Sequence, residues 1–303
     1  MNKIYLVFVT LLILILFFIV LSYNIYSKSY KDEKTNDYIY KNIELFNENL
    51  EIEKKYALSL SKIISQNNIL KNSLITNNQQ KALVELKKIT KSLENIDIQV
   101  HTKNLEAFAR TWDKGNYKGK KLGLFRKGLV IVKKSKEPLV SIELGKRLNI
   151  KAISPMLDEN NNFSGSIEVI VDFKNIKQRL KKFNISMMML LDKEFINIAV
   201  DLKKHKIIER YYIIDDIYNQ DLVNKLNKNS KILEKKELYN IVDNKILVIL
   251  PMNSIGLKNI GIIILQMDGK NRQFNSSDNL LNIYYDNDTY IFNKNKKREV
   301  IIK

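Results

Sequence analysis

The sequence contains no cysteine, and it has only 3 prolines and 9 glycines in 303 residues. Without cysteine there are no disulfides, thiol nucleophiles or thiolate zinc sites, which fits either compartment of a bacterium. With two histidines and no clustered carboxylates, the sequence offers no ligand set for a metal. It also carries no nucleophile elbow, phosphate-binding glycine loop or His/Ser/Asp grouping. We therefore expect neither an enzyme nor a bound cofactor.

The formal net charge of +18 would ordinarily suggest a nucleic-acid partner. Arginine is scarce, however, and no stretch alternates basic with aromatic side chains. Lysine, asparagine and isoleucine are abundant together and the lysines are dispersed, which is typical of codon usage rich in A and T. The charge therefore predicts no nucleic-acid binding.

A long apolar run opens the chain. Residues 4–27 carry no ionisable side chain except tyrosine, and a helix of 18 to 24 residues spans roughly 27–36 Å, the thickness of a bilayer core. The run ends in tyrosines and has no small-residue cleavage site, which favours an uncleaved anchor at residues 1–27 over a signal peptide. Lys3 on one side faces Lys28, Lys31 and Lys34 on the other, and this asymmetry alone slightly favours a cytoplasmic body.

No glycine or proline precedes Gly115, which predicts a helical first third. After the anchor, the spacing of apolar residues predicts a helix of some 45 residues, about 65–70 Å long, then a turn at residues 76–79 and a shorter helix. The apolar seam of the long helix consists of Ile39, Ile43, Phe46, Leu50, Ala57, Leu60 and Ile64. Because a protruding helix would leave this seam in water, we expect a homodimer along residues 39–64.

Beyond residue 95, short β-rich segments alternate with turn-forming residues. The first set of predicted strands is 96–101, 128–132, 139–144, 151–156 and 165–172. The second set is 186–191, 195–200, 207–213, 246–251 and 260–267. Predicted helices occupy residues 173–183 and 217–226. The chain is thus predicted to be α+β, with a helical segment at 28–95, five-strand modules at 96–173 and 174–268, and a polar tail at 269–303.

One part of the first module is more specific than a strand pattern. It contains Ile98-Gln-Val-His-Thr102, Phe108-Ala-Arg-Thr-Trp112, Leu124-Phe-Arg126, Pro138, Ile142-Glu-Leu-Gly145, Arg147-Leu148, Ile150-Lys-Ala-Ile-Ser-Pro155, Asn160-Asn-Asn-Phe-Ser-Gly-Ser166 and Glu168. This resembles the double-Cache sensor domain of bacterial chemoreceptors and two-component sensor kinases. The resemblance is dense over 96–173 and rests on layout over 30–95 and 174–268. His101-Thr102-Lys103-Asn104 lacks the acidic residue that often follows the threonine, and Ser141 stands where glycine is usual.

The resemblance implies a long signalling helix that carries two PAS-like modules, of which the membrane-distal one, residues 96–173, binds a small organic ligand. It also implies a single-pass protein of the bacterial inner membrane with its body in the periplasm, against the slight preference of the flanking charges. Family members usually continue into a second span, a HAMP linker and a kinase or methyl-accepting domain, which the sequence after Gly269 does not supply. We therefore expect a separate signalling protein as partner. The alternative is a non-signalling scaffold or a truncated receptor remnant.

Five residues are candidate ligand contacts: His101, Arg110, Trp112, Arg126 and Glu143. Arg110 and Trp112, two apart on an extended segment, would share a face that suits a carboxylate or, through the aromatic ring, an amine. Alternatively, the tryptophan packs in the core and Arg110 forms a salt bridge. Arg126 and Glu143 adjoin strands of one sheet and would pair with each other or with the ligand. A lone histidine such as His101 is more often a hydrogen-bonded core residue than a metal ligand.

Overall fold

The computed structural model describes residues 3–93, 95–112, 117–124, 126–234 and 237–269. The turn-forming residues 113–115, which follow the first predicted β-rich segment, and the polar tail after Gly269 lie outside the described residues. By internal contacts the chain divides into two units, one from the N terminus to Leu45 and one from Phe46 to Asp268. Both sheets and all of the site residues belong to the second unit.

Three helices open the chain, as the absence of glycine and proline predicts. They are α1 (Lys3–Ser65), α2 (Asn68–Ile75) and α3 (Gln79–Thr90). The N-terminal part of α1 is long and apolar enough to cross a membrane, with a mean hydropathy of 2.0 over its most apolar window. The helix is interrupted earlier than predicted because the Asn67 side chain accepts a hydrogen bond from the Leu70 amide and caps a new helix.

Within the second unit, the apolar seam of α1 is covered by the chain itself. Phe46, Leu50, Ala57 and Ile64 are all buried, and Leu60 is half-buried. These residues are therefore not free to form the predicted homodimer interface, because intramolecular packing already removes them from water. The expected surface is wrong from Phe46 onward, while homodimerisation itself stays a prediction.

The first sheet has five antiparallel strands in the order β2-β1-β5-β4-β3. The strands are β1 (Ile96–Thr102), β2 (Ala107–Arg110), β3 (Leu139–Leu144), β4 (Leu148–Leu157) and β5 (Phe163–Val171). The predicted strand at 128–132 is wrong, because this segment lies in helix α4 (Lys127–Ser135). Leu129 and Val132 point inward while Val130 and Ile131 are exposed, which is helical rather than strand periodicity.

Helix α5 (Lys174–Lys182), close to its predicted place, leads into a second sheet of six strands in the order β7-β8-β6-β11-β10-β9. The strands are β6 (Ser186–Asp192), β7 (Ile207–Ile208), β8 (Tyr211–Ile213), β9 (Tyr239–Val242), β10 (Lys245–Ser254) and β11 (Leu257–Asp268), and helix α6 spans Gln220–Lys228. The predicted strand at 195–200 is wrong: two 3-10 turns, Lys193–Phe195 and Val200–Leu202, flank it. The predicted strand at 207–213 is split into the short hairpin β7–β8.

Apart from the extra edge strand β7, the two sheets share one strand order. In each, the first strand (β1 or β6) lies between a short strand (β2 or β8) and the last strand (β5 or β11), which also pairs with the long strand before it (β4 or β10). A helix, α4 or α6, occupies the same place in the chain order of each sheet. The α+β class with a long N-terminal helix and two tandem antiparallel sheets is therefore confirmed.

The first sheet is covered on both faces. On one face, buried apolar residues of β1 and β5 lie under the helices, and the hydroxyls of Ser61 on α1 and Ser154 on β4 are 2.8 Å apart. A Cβ at Gly165 would lie 2.4 Å from the His101 carbonyl oxygen and 2.8 Å from Leu74 Cδ1 of α2, so only glycine fits there. On the opposite face, Tyr117, Leu122, Leu129 and Val132 form an apolar cluster with Ile153 of β4.

Candidate functional site

The face of the first sheet that lies under α4 carries a row of polar side chains. Gln99 pairs with Glu168 and with Arg110, and residues directly opposite each other in an antiparallel pair point to the same face. His101 lies two residues after Gln99, and Lys151 pairs with Ser141 two residues before Glu143. Strand alternation therefore brings to one face the side chains that we call the polar row: Gln99, His101, Arg110, Ser141, Glu143, Lys151, Ser166 and Glu168.

Arg126, directly before α4, lies at the centre of the row. Its Nε donates to Glu143 Oε1 at 2.9 Å and its Nη2 to Glu143 Oε2 at 3.2 Å, and Nη2 also donates to Glu168. All three side chains are buried. Burial works against the charge of Arg126, but the carboxylates of Glu168 and Glu143 outweigh it and raise the pKa of the guanidinium. Of the two alternatives that the sequence left open for Arg126 and Glu143, the structure shows the ion pair between them.

His101 is a buried, hydrogen-bonded core residue, as predicted. Its Nδ1 lies 3.1 Å from Ser166 Oγ, and its Nε2 lies 3.7 Å from Glu168 Oε2. Burial, reinforced by the charge of Arg126, lowers the pKa of His101 well below its ordinary value. The imidazole is therefore neutral at physiological pH.

Lys151 of β4 is a second buried cation in the row. Its ammonium lies at the β3–β4 turn, where a Cβ added to Gly145 would be 3.0 Å from Nζ. Burial lowers the pKa of Lys151 to about 8, and Arg126 adds to the effect, although Glu168 and Glu143 oppose it. The fold thus keeps the Lys151 ammonium in a position where burial makes its charged form less favourable than in water.

Arg110, Trp112 and Tyr117 form an aromatic rim beside the row. The guanidinium carbon of Arg110 lies 4.3 Å from the ring centroid of Tyr117 and 5.4 Å from that of Trp112. The Arg110 amide donates to the Tyr117 hydroxyl at 3.0 Å. Arg110 and Trp112 therefore meet as predicted, and the alternative of a core tryptophan is wrong because 44% of Trp112 is exposed.

Four buried polar atoms of the row have no hydrogen-bond partner among the described residues: Gln99 Nε2, His101 Nε2, Ser141 Oγ and Glu168 Oε2. A buried polar atom without a partner costs about 1–3 kcal/mol, and native proteins leave few of them. Their concentration on one face of one sheet marks a place where a polar guest would complete the hydrogen bonding.

The sequence predicted part of this site. It named His101, Arg110, Trp112, Arg126 and Glu143, and the structure brings all five to this face and its rim; their role in binding a ligand stays a prediction. It missed Gln99, Tyr117, Lys151 and Glu168. The available signal was a charged residue at an inward strand position, as in Ile150-Lys-Ala-Ile153 and Ser166-Ile-Glu-Val169.

One other feature of the described residues lies apart from the row. A groove of about 380 Å³ opens on the other side of β4, with Lys62, Gln66, Lys71 and Lys136 in its lining. No three His, Asp or Glu side chains of the described chain come together as metal ligands would. Among the described residues, the polar row is therefore the strongest candidate for a ligand-binding site.

No family model matches the chain, and no curated protein matches it. Several solved structures are similar to it. The sensor domain of the V. cholerae histidine kinase DctB has 12% identity and a TM-score of 0.48, and the match covers 75% of this chain and 95% of that one. The ligand-binding domain of the Campylobacter jejuni chemoreceptor Tlp3, in complex with L-valine, has 12% identity and a TM-score of 0.43, with 80% and 94% covered. That of the Pseudomonas fluorescens chemoreceptor CtaA, in complex with L-leucine, has 13% identity and a TM-score of 0.40, with 76% and 92% covered.

Proposed function

We propose that this protein is a membrane-anchored sensor module that binds a small organic ligand between the polar row and the aromatic rim. The observation that carries the proposal is the set of four buried polar atoms without partners on one sheet face. Stability alone would favour apolar side chains there, so the retained polar groups point to binding. The rim supplies an exposed aromatic face through which a ligand reaches the row.

The contacts within the row divide its residues into two roles. Both oxygens of Glu143 already bind Arg126, so we assign this pair to positioning the site. Glu168 Oε2 has no hydrogen-bond partner and offers an acceptor to an N–H group or an amine. Lys151 and Arg110 offer cations to a carboxylate. The ligand class that suits this arrangement carries a carboxylate, an amine or both.

Signal transfer would pass through the helices that hold the first sheet. Arg179 on α5 donates from Nε to Asn49 Oδ1 of α1 at 2.5 Å and from Nη2 to Glu53 Oε1 at 2.6 Å. Glu53 is buried, so this contact ties the connection between the two sheets to the long helix. We propose that ligand binding biases the packing of α1 and that a separate signalling protein receives the change.

A ligand screen tests the function directly. The full chain in detergent micelles is titrated with amino acids, organic acids, amines and purines, with melting temperature and the fluorescence of the single tryptophan as readouts. A binder should raise the melting temperature with the logarithm of its concentration. Replacing Arg110 or Glu168 by glutamine should weaken that binder about 10- to 100-fold, the effect of losing a hydrogen bond to a charged group.

Arg210 provides the matched control for the screen. It lies over a tyrosine ring of the second sheet, 5.6 Å from the Tyr211 centroid, and pairs with Asp192. Arg210→Gln should leave the affinity unchanged. A folded protein that responds to no compound would overturn the sensor proposal in favour of a scaffold or receptor remnant.

The anchor and its orientation are tested by cysteine labelling, since the chain has no native cysteine. For a single-pass protein with a periplasmic body, a cysteine at exposed Lys204 should react with an impermeant maleimide in intact cells. One at Asn2 should react only after lysis. The reverse pattern would place the body in the cytoplasm. A shortened chain that never labels at position 2 would identify a cleaved signal peptide.

A further inference from the structure

The tip of the β10–β11 hairpin in the second sheet contacts the outer edge of the first sheet. The tip comprises residues 254–257. The Leu144 amide donates to Ser254 Oγ at 2.9 Å, and the Ile255 amide donates to the Ile142 carbonyl at 3.1 Å. Strand β3 is an edge strand, and its outward backbone groups would otherwise lack ladder partners. These two hydrogen bonds flank Glu143 on both sides.

The same tip contacts the residue that follows Arg126. Lys127 Nζ donates to the Gly256 carbonyl at 3.0 Å. Gly256 has a φ of +73°, a backbone conformation that residues with a Cβ rarely adopt, so glycine allows the tip to turn here. Both members of the Arg126–Glu143 ion pair are therefore held, through their chain neighbours, by the second sheet.

A second contact joins the modules near Lys151. The Asp201 amide donates to the Lys146 carbonyl at 3.3 Å, and Asp201 Oδ2 lies 3.5 Å from Arg147 Nε. Lys146 and Arg147 belong to the β3–β4 turn, and the Lys151 ammonium lies beside this turn. The second module thus contacts the C-terminal half of β3 and the turn that follows it.

We propose that the tip, residues 254–257, is a positioning element of the polar row, so that the second module sets the geometry of the site in the first. Buried polar groups have little freedom because interiors are close-packed, and a shift of the β3 edge moves Glu143 and, through Arg126, Glu168. The coupling runs both ways, since a change at the row must act on the tip with the same free energy. The site's role rests on the proposed function; the physical coupling does not.

The test uses Ser254→Ala in the full chain, with ¹³C,¹⁵N-labelled histidine. Only two histidines exist: His101 reports on the row, and His205, whose Nδ1 lies 3.0 Å from the Ile213 carbonyl, reports on the second sheet. Ser254→Ala should shift the His101 ring signals and leave those of His205 in place. The matched control is Asn253→Ala, which removes a bond of the same kind, from the Asn259 amide to Asn253 Oδ1 at 2.7 Å, inside the same hairpin.

The reciprocal experiment perturbs the row with Glu143→Gln and reads amide hydrogen exchange at Ile255. Exchange there should accelerate at least about tenfold, whereas Arg210→Gln should not change it. An unmoved His101 signal in Ser254→Ala, or an equal shift in Asn253→Ala, would overturn the proposal, whether or not Glu143→Gln folds. Because no ligand is added, the result is independent of the ligand screen: a coupled row that binds nothing would refute only the proposed function.

Discussion

Replacing Arg126 by methionine should lower the free energy of unfolding by about 3–5 kcal/mol at neutral pH, the usual cost of breaking a buried ion pair from one side. Arg126 is the hydrogen-bonding partner of both Glu143 and Glu168, and all three side chains are buried. The variant leaves two carboxylates in the interior without their cation. Urea unfolding of the full chain in micelles, followed by tryptophan fluorescence, measures the loss.

Two further variants distinguish the cost of unpaired buried charges from a general loss of stability caused by substitution. The triple variant Arg126→Met, Glu143→Gln, Glu168→Gln should recover much of the stability, because neutral amides cost less to bury than carboxylates. Arg147→Met is the matched single change: Arg147 is exposed and pairs with a half-exposed Asp201 at 3.5 Å, so it should cost at most about 1 kcal/mol. Equal losses in Arg126→Met and Arg147→Met would contradict the structure.

Lys151→Met should raise stability at pH 7 by roughly 3 kcal/mol, because the buried ammonium has a pKa of about 8 against an ordinary value of 10.5. The unfolded chain therefore binds a proton on Lys151 between pH 8 and 10.5 that the folded chain does not. Stability must rise with pH across this window, and the cost of the charged lysine is present in full below pH 8. Methionine has no such proton, so the gain should shrink between pH 8 and 10.5 and vanish above it.

Lys177 gives the control for this pH profile. Burial lowers its pKa to about 8 as well, although Asp172 and Asp216 oppose the shift. Lys177 is less buried than Lys151, and its ammonium also pairs with Asp215. Lys151→Met should therefore remove the larger part of the rise in stability between pH 8 and 10.5, and Lys177→Met a smaller part. An unchanged slope in Lys151→Met would mean that Lys151 is not desolvated.

Much of the fold follows from local pattern. The absence of glycine and proline before Gly115 predicted the helices, and alternation predicted β1, β3, β4, β5, β6, β10 and β11. The failures have a common cause, which is that a short apolar run does not reveal its period. Residues 128–132 form a helix in which Leu129 and Val132 are buried while Val130 and Ile131 are exposed. β2 and β9 have four residues each and depend on their neighbours for pairing.

The site could be predicted less well from the sequence than the fold could, because strand register decides which side chains meet. Gln99, Lys151 and Glu168 are ordinary polar residues until the pairing of β1, β4 and β5 places them on one face. Arg126 and Glu143 were found because a charge beside a buried strand needs a partner. That the partner of Arg126 is also Glu168, 42 residues away in the chain, follows only from the packing of α4 on the sheet.

Although the two sheets share a strand order, they differ in the side chains that each buries against its helix. Under α6, the second sheet carries an apolar interior that includes Met188, Leu190, Leu222, Leu226 and Ile264, where the first sheet carries charges under α4. Two sheets with a similar strand order thus bury charged side chains under the helix in one case and apolar side chains in the other. The apolar packing under α6 gives the second sheet a close-packed interior, and the hairpin tip that contacts β3 extends from this interior.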